Sequence, residues 1–177
     1  KDTSTIRVVL AGNPNAGKTS IFNALTGANQ RVGNYAGVTV EKREGHATLA
    51  GRAVDVLDLP GTYSLTSSSP EERIARDELL WGSADVVVVV ADATNLSRSL
   101  VILAQIMHSR RPLVLCLNFA DEARSSGQQL DIEQLSSLIG VPVIETVANH
   151  GIGLDDLEAA ILEVAGSSRN EQRLVLG

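Results

Sequence analysis

Apolar residues recur along the chain in two rhythms. Ile6–Leu10, Val86–Ala91 and Leu113–Leu117 are apolar nearly without interruption, the pattern of parallel strands covered on both faces. Ala53–Leu57 and Val141–Thr146 add two candidates, and Val38–Leu49 a sixth. The last, VTVEKREGHATL, alternates and carries charge, and LAGRA then reads as a turn. A hairpin follows, with one antiparallel edge strand. Between strands the period lengthens. Leu96, Leu100, Leu103 and Met107 share one helical face, as do Leu154, Leu157, Ile161 and Val164. Asp131 is placed to cap a short helix carrying Ile132, Leu135 and Leu138. Ser69-Pro70-Glu71-Glu72 is a capping box opening a helix that ends at Trp81, expected as a packing anchor. Strands alternating with helices predict a three-layer α/β fold whose mainly parallel, six-stranded sheet has one antiparallel edge strand.

Composition narrows the function. The 177 residues suit one domain, and the net charge of −6 argues against a duplex-DNA binder. Only 3 % of residues are aromatic, too few for a base-stacking platform, so no nucleic acid partner is expected. Cys116 is the single cysteine, which excludes a disulfide framework and fits a reducing, cytosolic setting. It reads as a small buried hydrophobe. No run approaches the ~18 apolar residues of a membrane span, and the leading KDTST lacks the apolar core of a secretory signal. His46, His108 and His150 are scattered without metal-ligand spacing, and EKREG at 41–45 reads as a solvated strand face.

One stretch carries chemistry directly. AGNPNAGKTS at 11–20 holds Gly12-x-x-x-x-Gly17-Lys18-Thr19 between a strand and a helix, the context of a phosphate-binding P-loop. Glycines let the backbone N–H groups close on an anion, and the following helix aims its positive end there. Lys18 adds a point charge for the β- and γ-phosphates, and the Thr19 hydroxyl suits Mg²⁺. Asn13, Asn15, Ala16, Gly17 and Ser20 complete the cradle. Three strand ends choose the nucleotide. LDLPG ends one with Asp58 and Gly61, able to serve Mg²⁺ and a γ-phosphate. LCLNFAD ends another with Asn118 and Asp121, whose carboxylate can accept both edge donors of guanine. ETVANHGIG follows the last and offers the Ala148 N–H to guanine O6. All lie at carboxyl ends of strands, where open α/β sheets bind ligands. Taken singly, the glycine pattern also reads as an ordinary turn and Asp121 as a helix cap.

On GNPNAGKTS, RVGNYAGVTVEKREG, DLPGTYSL and VVADATNL, the chain resembles translation-factor-like P-loop GTPases. Within them it is similar to the cytosolic G domain of FeoB-type ferrous iron transporters, GNYAGVTVE being the discriminating stretch. The resemblance implies slow, potassium-stimulated hydrolysis of GTP to GDP, with Asn15, Lys18, Thr39 and Gly61 as the catalytic set. Gln30–Thr39, including Gly37 and Val38, would be a mobile switch I whose Thr39 joins Thr19 and Asp58 at Mg²⁺. Leu59 to about Arg76 would be switch II. Asn15 would hold K⁺, and Phe119, Val147 and Asn149 would complete the nucleotide site with Asn118, Asp121 and Ala148. Departures from many GTPases are Thr62 where a glutamine orients water, Phe119 in place of lysine, whose ring would lie against the base, and Val147 in place of serine. Residues 1–166 are expected as the G domain and 167–177 as a tail, the start of a linker. The implied partners are GTP and GDP, a helical domain and a membrane channel at the cytoplasmic side of the bacterial inner membrane. Homo-oligomerisation stays open. Since neither helical domain nor channel follows SSRNEQRLVLG, an excised or self-sufficient G domain is expected. Two rivals remain, a soluble assembly GTPase acting on ribosome or tRNA and a nucleotide sensor with negligible hydrolysis.

Overall fold

The valine run at 86–90 lies inside the core of the molecule. In the computed structural model, which describes residues 4–66 and 68–176, these valines have no exposed surface. They form β5 (Val86–Asp92), paired in parallel with β1 (Ile6–Gly12) and β6 (Leu113–Asn118). Outward lie β7 (Val143–Glu145) beyond β6, and β4 (Arg52–Asp58), β3 (Glu41–Leu49) and β2 (Gln30–Asn34) beyond β1. The order is β2-β3-β4-β1-β5-β6-β7.

Side-chain alternation splits the core into two layers. Ile6, Val8, Leu10, Val88 and Val90 face α1 (Lys18–Thr26) and α6 (Leu154–Leu176), meeting Ile21, Phe22, Leu157 and Ile161. Val9, Ala11, Val87 and Val89 face α2 (Pro70–Trp81) and α3 (Leu96–His108), meeting Leu79, Ile102 and Ile106. Short helices α4 (Ala120–Ser125) and α5 (Ile132–Ile139) complete that layer.

The α/β class and the mainly parallel sheet agree with the pattern. The strand count does not: among the described residues there are seven strands, and the antiparallel β3 lies one position inside the edge. The added edge strand β2 has one apolar residue, Val32, and shows period-2 burial nowhere; only pairing with β3 makes it a strand. The β3–β4 hairpin turns at Ala50 (φ 48°) and Gly51 (φ 77°), both left-handed as a two-residue primed turn requires.

Two helical caps stand as read: Ser69 Oγ accepts from Glu72 N at 3.1 Å, and Asp131 Oδ1 from Gln134 N at 3.0 Å. Other positions differ. The face of α3 toward the sheet is Ser99, Ile102, Leu103 and Ile106, while Leu100 and Met107 are exposed. Leu138 is exposed, and Trp81 anchors nothing, being 83 % exposed. Helix α6 continues through 167–176, the stretch expected as a tail; Gly177, the first three residues of KDTST and Ser67 of switch II lie outside the described residues. Among the described residues no helix is long and apolar enough to cross a membrane.

Candidate functional site

The glycine-rich turn leaves β1 at its carboxyl end and enters α1 through Gly17, whose φ of 84° is left-handed. A Cβ there would fall 2.0 Å from Asn118 Nδ2, so only glycine admits the neighbouring loop. Asn13, Pro14, Asn15, Gly17, Lys18, Thr19, Gly61 and Phe119 surround a cavity of about 440 Å³. Lys18 and Gly61 also line a second cleft of about 280 Å³, shared with Glu41, Arg43 and Asp58.

Lys18 is buried, and its ammonium donates to the Asp58 carboxylate and, at 2.5 Å, to Leu59 O. Burial pushes the Asp58 carboxyl above the usual range, with Lys18 and Arg43 pulling the other way. Thr19 is exposed on the first turn of α1. The Thr19 hydroxyl and the buried Asp58 carboxylate, each lining a cavity that Lys18 also lines, are oxygen donors, the chemistry a hard divalent cation accepts.

The opposite wall is held by Asn118. Its Nδ2 donates to Ala16 O at 3.3 Å, and its Oδ1 accepts from Ala148 N and from Thr146 Oγ1, both at 3.1 Å. Thr146 Oγ1 also lies 3.3 Å from Cys116 Sγ, whose thiol is pushed up to about 12, chiefly by burial. The Ala148 N–H, expected to meet guanine O6, is thus engaged by Asn118. Phe119 sits left-handed (φ 59°) as the N-cap of α4, which places Asp121 in the first helical turn. Its ring lies against the P-loop: a Cβ on Gly17 would come 3.2 Å from Phe119 Cζ. Val147 is buried and bridges Ile152, while Asn149 is exposed on the 148–150 turn.

The P-loop residues, Asp58, Gly61, Asn118 and Phe119 therefore converge, with Ser20 half-buried on α1. Gly37, Val38 and Thr39 do not. All three are exposed, and none lines either cavity. Segment 30–39, expected to be mobile, is built into the sheet through β2. Pattern reading missed Glu41 and Arg43. They form an ion pair on one face of β3, Arg43 opposite Asp58 in register, so EKREG is more than a solvated face. The signal was available, since residues 41 and 43 share a side of any strand. His46 instead pairs with Asp55 across the hairpin at 2.5 Å. Among the described residues three buried side-chain polar atoms lack a hydrogen-bond partner: Asn13 Oδ1, Thr62 Oγ1 and Tyr35 OH.

Known proteins share this arrangement. The Fe(2+) transporter FeoB of Salmonella typhimurium is 44 % identical over 160 residues, covering 88 % of this chain and 21 % of the relative. The chain thus spans about a fifth of the length of the curated relatives it matches. The cytosolic domain of the T. maritima FeoB iron transporter in a GDP form superposes with a TM-score of 0.89 at 47 % identity, over 92 % of this chain and 64 % of that one. The isolated G domain of the same transporter gives 0.86 at 46 %, over 92 % and 99 %. The profile of the family described as ferrous iron transport protein B matches residues 6–161, and the chain belongs to that family.

Proposed function

We propose that this chain is the guanine-nucleotide switch of a ferrous iron transporter, binding GTP and hydrolysing it slowly to GDP. One observation carries the reading: Asn118 ties the phosphate loop, through Ala16 O, to the loop that presents Ala148. Phosphate cradle and base reader are thereby one unit, with Asp121 beside it on α4.

The residues divide the work. Lys18 exchanges Asp58 and Leu59 O for the β- and γ-phosphates, and the N–H groups of Gly17–Thr19 close on the same charge. The Gly61 N–H meets the γ-phosphate, and Asp121 accepts from the guanine edge. Asp58, once Lys18 leaves, is a buried carboxylate in need of another cation. Thr19, Asp58 and, after rearrangement, Thr39 are the oxygens that would hold magnesium, which when bound neutralises phosphate charge. Asn15, left-handed at φ 66° and lining the phosphate cavity, would offer its carbonyl oxygen to potassium, a fixed positive charge beside the developing anion. No glutamine follows Gly61, and Thr62 is turned inward, which fits slow turnover. Loss of the γ-phosphate releases Thr39, and that change would be read by helical and membrane parts of a longer transporter at the cytoplasmic side of the bacterial inner membrane.

Phosphate release measured in KCl and in NaCl, with ATP as competitor, tests this. Faster GTP hydrolysis in KCl, unmoved by ATP, is expected. No hydrolysis in either salt would make the chain a sensor, and equal competition by ATP would end the guanine reading.

A further inference from the structure

Beyond Gln30, whose amide bonds to Asn23, Thr26 and Gly27 at the end of α1, segment 30–39 holds one side chain that is not exposed. Residues 31–34 and 36–39 are exposed; Tyr35 is half-buried. β2 pairs with β3 from Gln30 opposite Gly45 to Asn34 opposite Glu41. The connecting turn is closed by Tyr35 N donating to Val40 O at 2.9 Å and Val38 N to Tyr35 O at 3.3 Å. Tyr35 shares a groove with Ile74, Glu78 and Trp81 of α2, and the Lys42 ammonium stands 5.5 Å from its ring centroid. Its hydroxyl is covered yet bonds to nothing. Burial, with Glu78, Asp58 and Glu44 nearby, raises its ionisation well above the usual phenol range, so it stays neutral.

No side-chain hydrogen bond holds Tyr35; its half-buried ring is kept by enclosure at the groove it lines with α2. The wall behind it is fixed, because Arg111 donates to Leu79 O at 2.9 Å and to Gly82 O at 2.6 Å at the end of α2. Thr39 adjoins Val40, whose carbonyl is bonded to the Tyr35 N–H. The closed turn thus ties the residue after Thr39 to Tyr35.

We propose that Tyr35 is a latch: its ring, enclosed at the groove it lines with α2, keeps segment 30–39 in the hairpin and Thr39 out of the phosphate site. GTP must unseat it and GDP need not. The inference rests on the GTP reading above. A ligand shifts a two-state element only by its differential affinity. GTP, whose γ-phosphate recruits Thr39, works against the latch, and GDP leaves it closed. The latch thus sets the GTP-to-GDP preference, and Tyr35 is a positioning residue acting through Thr39.

Trp81, the one tryptophan of the chain, lines the same groove and is 83 % exposed, a ready reporter. Its emission and the affinities of GDP and a non-hydrolysable GTP analogue are measured with magnesium in the unaltered protein, Tyr35→Phe and Tyr35→Ala. The analogue should change Trp81 emission in the unaltered protein and GDP should not. Tyr35→Phe should behave identically, its hydroxyl having no partner to lose. Tyr35→Ala should shift the affinity ratio toward the analogue about tenfold, leave GDP affinity within about twofold, and show the analogue-type emission with GDP as well. If Tyr35→Ala does not fold, Tyr35→Leu, which keeps bulk without the ring's reach, carries the same test. An unmoved ratio in a folded variant, or Tyr35→Phe matching Tyr35→Ala, overturns the latch. Failure of the unaltered protein to bind either nucleotide overturns the GTP reading instead.

Discussion

The two halves of the nucleotide cleft are finished to different degrees. On the base side, Asn118 spends both ends of its carboxamide on Ala16, Thr146 and Ala148, and Thr146 also meets Cys116. These bonds join β6 to the phosphate loop and to the loop after β7, three of the four between buried groups, so the wall stands before any ligand arrives. On the phosphate and switch side lie all three partnerless polar atoms noted above, on Asn13, Tyr35 and Thr62. There too Lys18 is held by Asp58, a partner that phosphate would displace on the proposed reading. A buried polar group without a partner is costly, and native structures keep such groups where an alternative arrangement satisfies them. On the proposed reading, the contrast separates a prebuilt reader from a movable sensor.

Breaking the finished side should have the largest effect. Asn118→Ala strands the Ala148 N–H and Ala16 O, so a stability loss of about 3 kcal/mol is expected in urea melts. GDP affinity should fall at least a hundredfold by calorimetry, about 2.8 kcal/mol. Lys18→Ala leaves Asp58 buried with only Arg43, itself paired with Glu41, to offset it; about 3 kcal/mol of ligand-free stability should go, and Lys18→Ala,Asp58→Asn should recover most of it. Recovery ties the loss to the charge pair, whereas an equally unstable double variant would assign it to packing. Thr62→Val sharpens the comparison from the other direction. It removes a hydroxyl that bonds to nothing and keeps the shape, so stability should rise by up to about 1 kcal/mol, or about 2–4 °C in Tm.

The smallest effect concerns the entry to α2. Glu72 is half-buried, and hydrogen bonds from the Ser68 hydroxyl and N–H and from Thr66 hold its carboxyl below the usual range. A lowered folded pKa stabilises the fold above the unfolded pKa, and this is lost as pH falls through the folded value. Glu72→Gln should therefore lower Tm at neutral pH, with the gap closing in acid.

What could be read from the chain followed the strength of the local signal. The central strands were plain because burial on both faces demands continuous apolar runs. The P-loop was plain because glycine, lysine and threonine at fixed offsets have few other uses. Strand β2 was hidden, since QRVGN gains its conformation from Glu41–Gly45 rather than from its own side chains. The helical period of α3 was seen, but the face was misphased, because Leu100 and Met107 are as apolar as the residues that pack. The convergence of Asn118, Asp58 and Lys18 followed from strand ends. The bond from Asn118 to Ala16 spans 102 positions and has no local signature. Thr39 was legible as a residue and not as a position, since a turn's location depends on which neighbour it packs against.

Gly45 decides how the edge hairpin can come apart. Pointed at the end of α1, it has no room for a side chain: a Cβ would lie 2.4 Å from Thr26 Cγ2 and 3.2 Å from Asn29 O. The next residue, His46, donates its N–H to that same Asn29 carbonyl at 2.9 Å. Strand β3 cannot slip along its neighbours, because any shift brings a bulkier residue into this gap. The hairpin can only unzip, starting at the loop around Gly37 and stopping at Asn29, so the length of chain released is set by one missing methyl group.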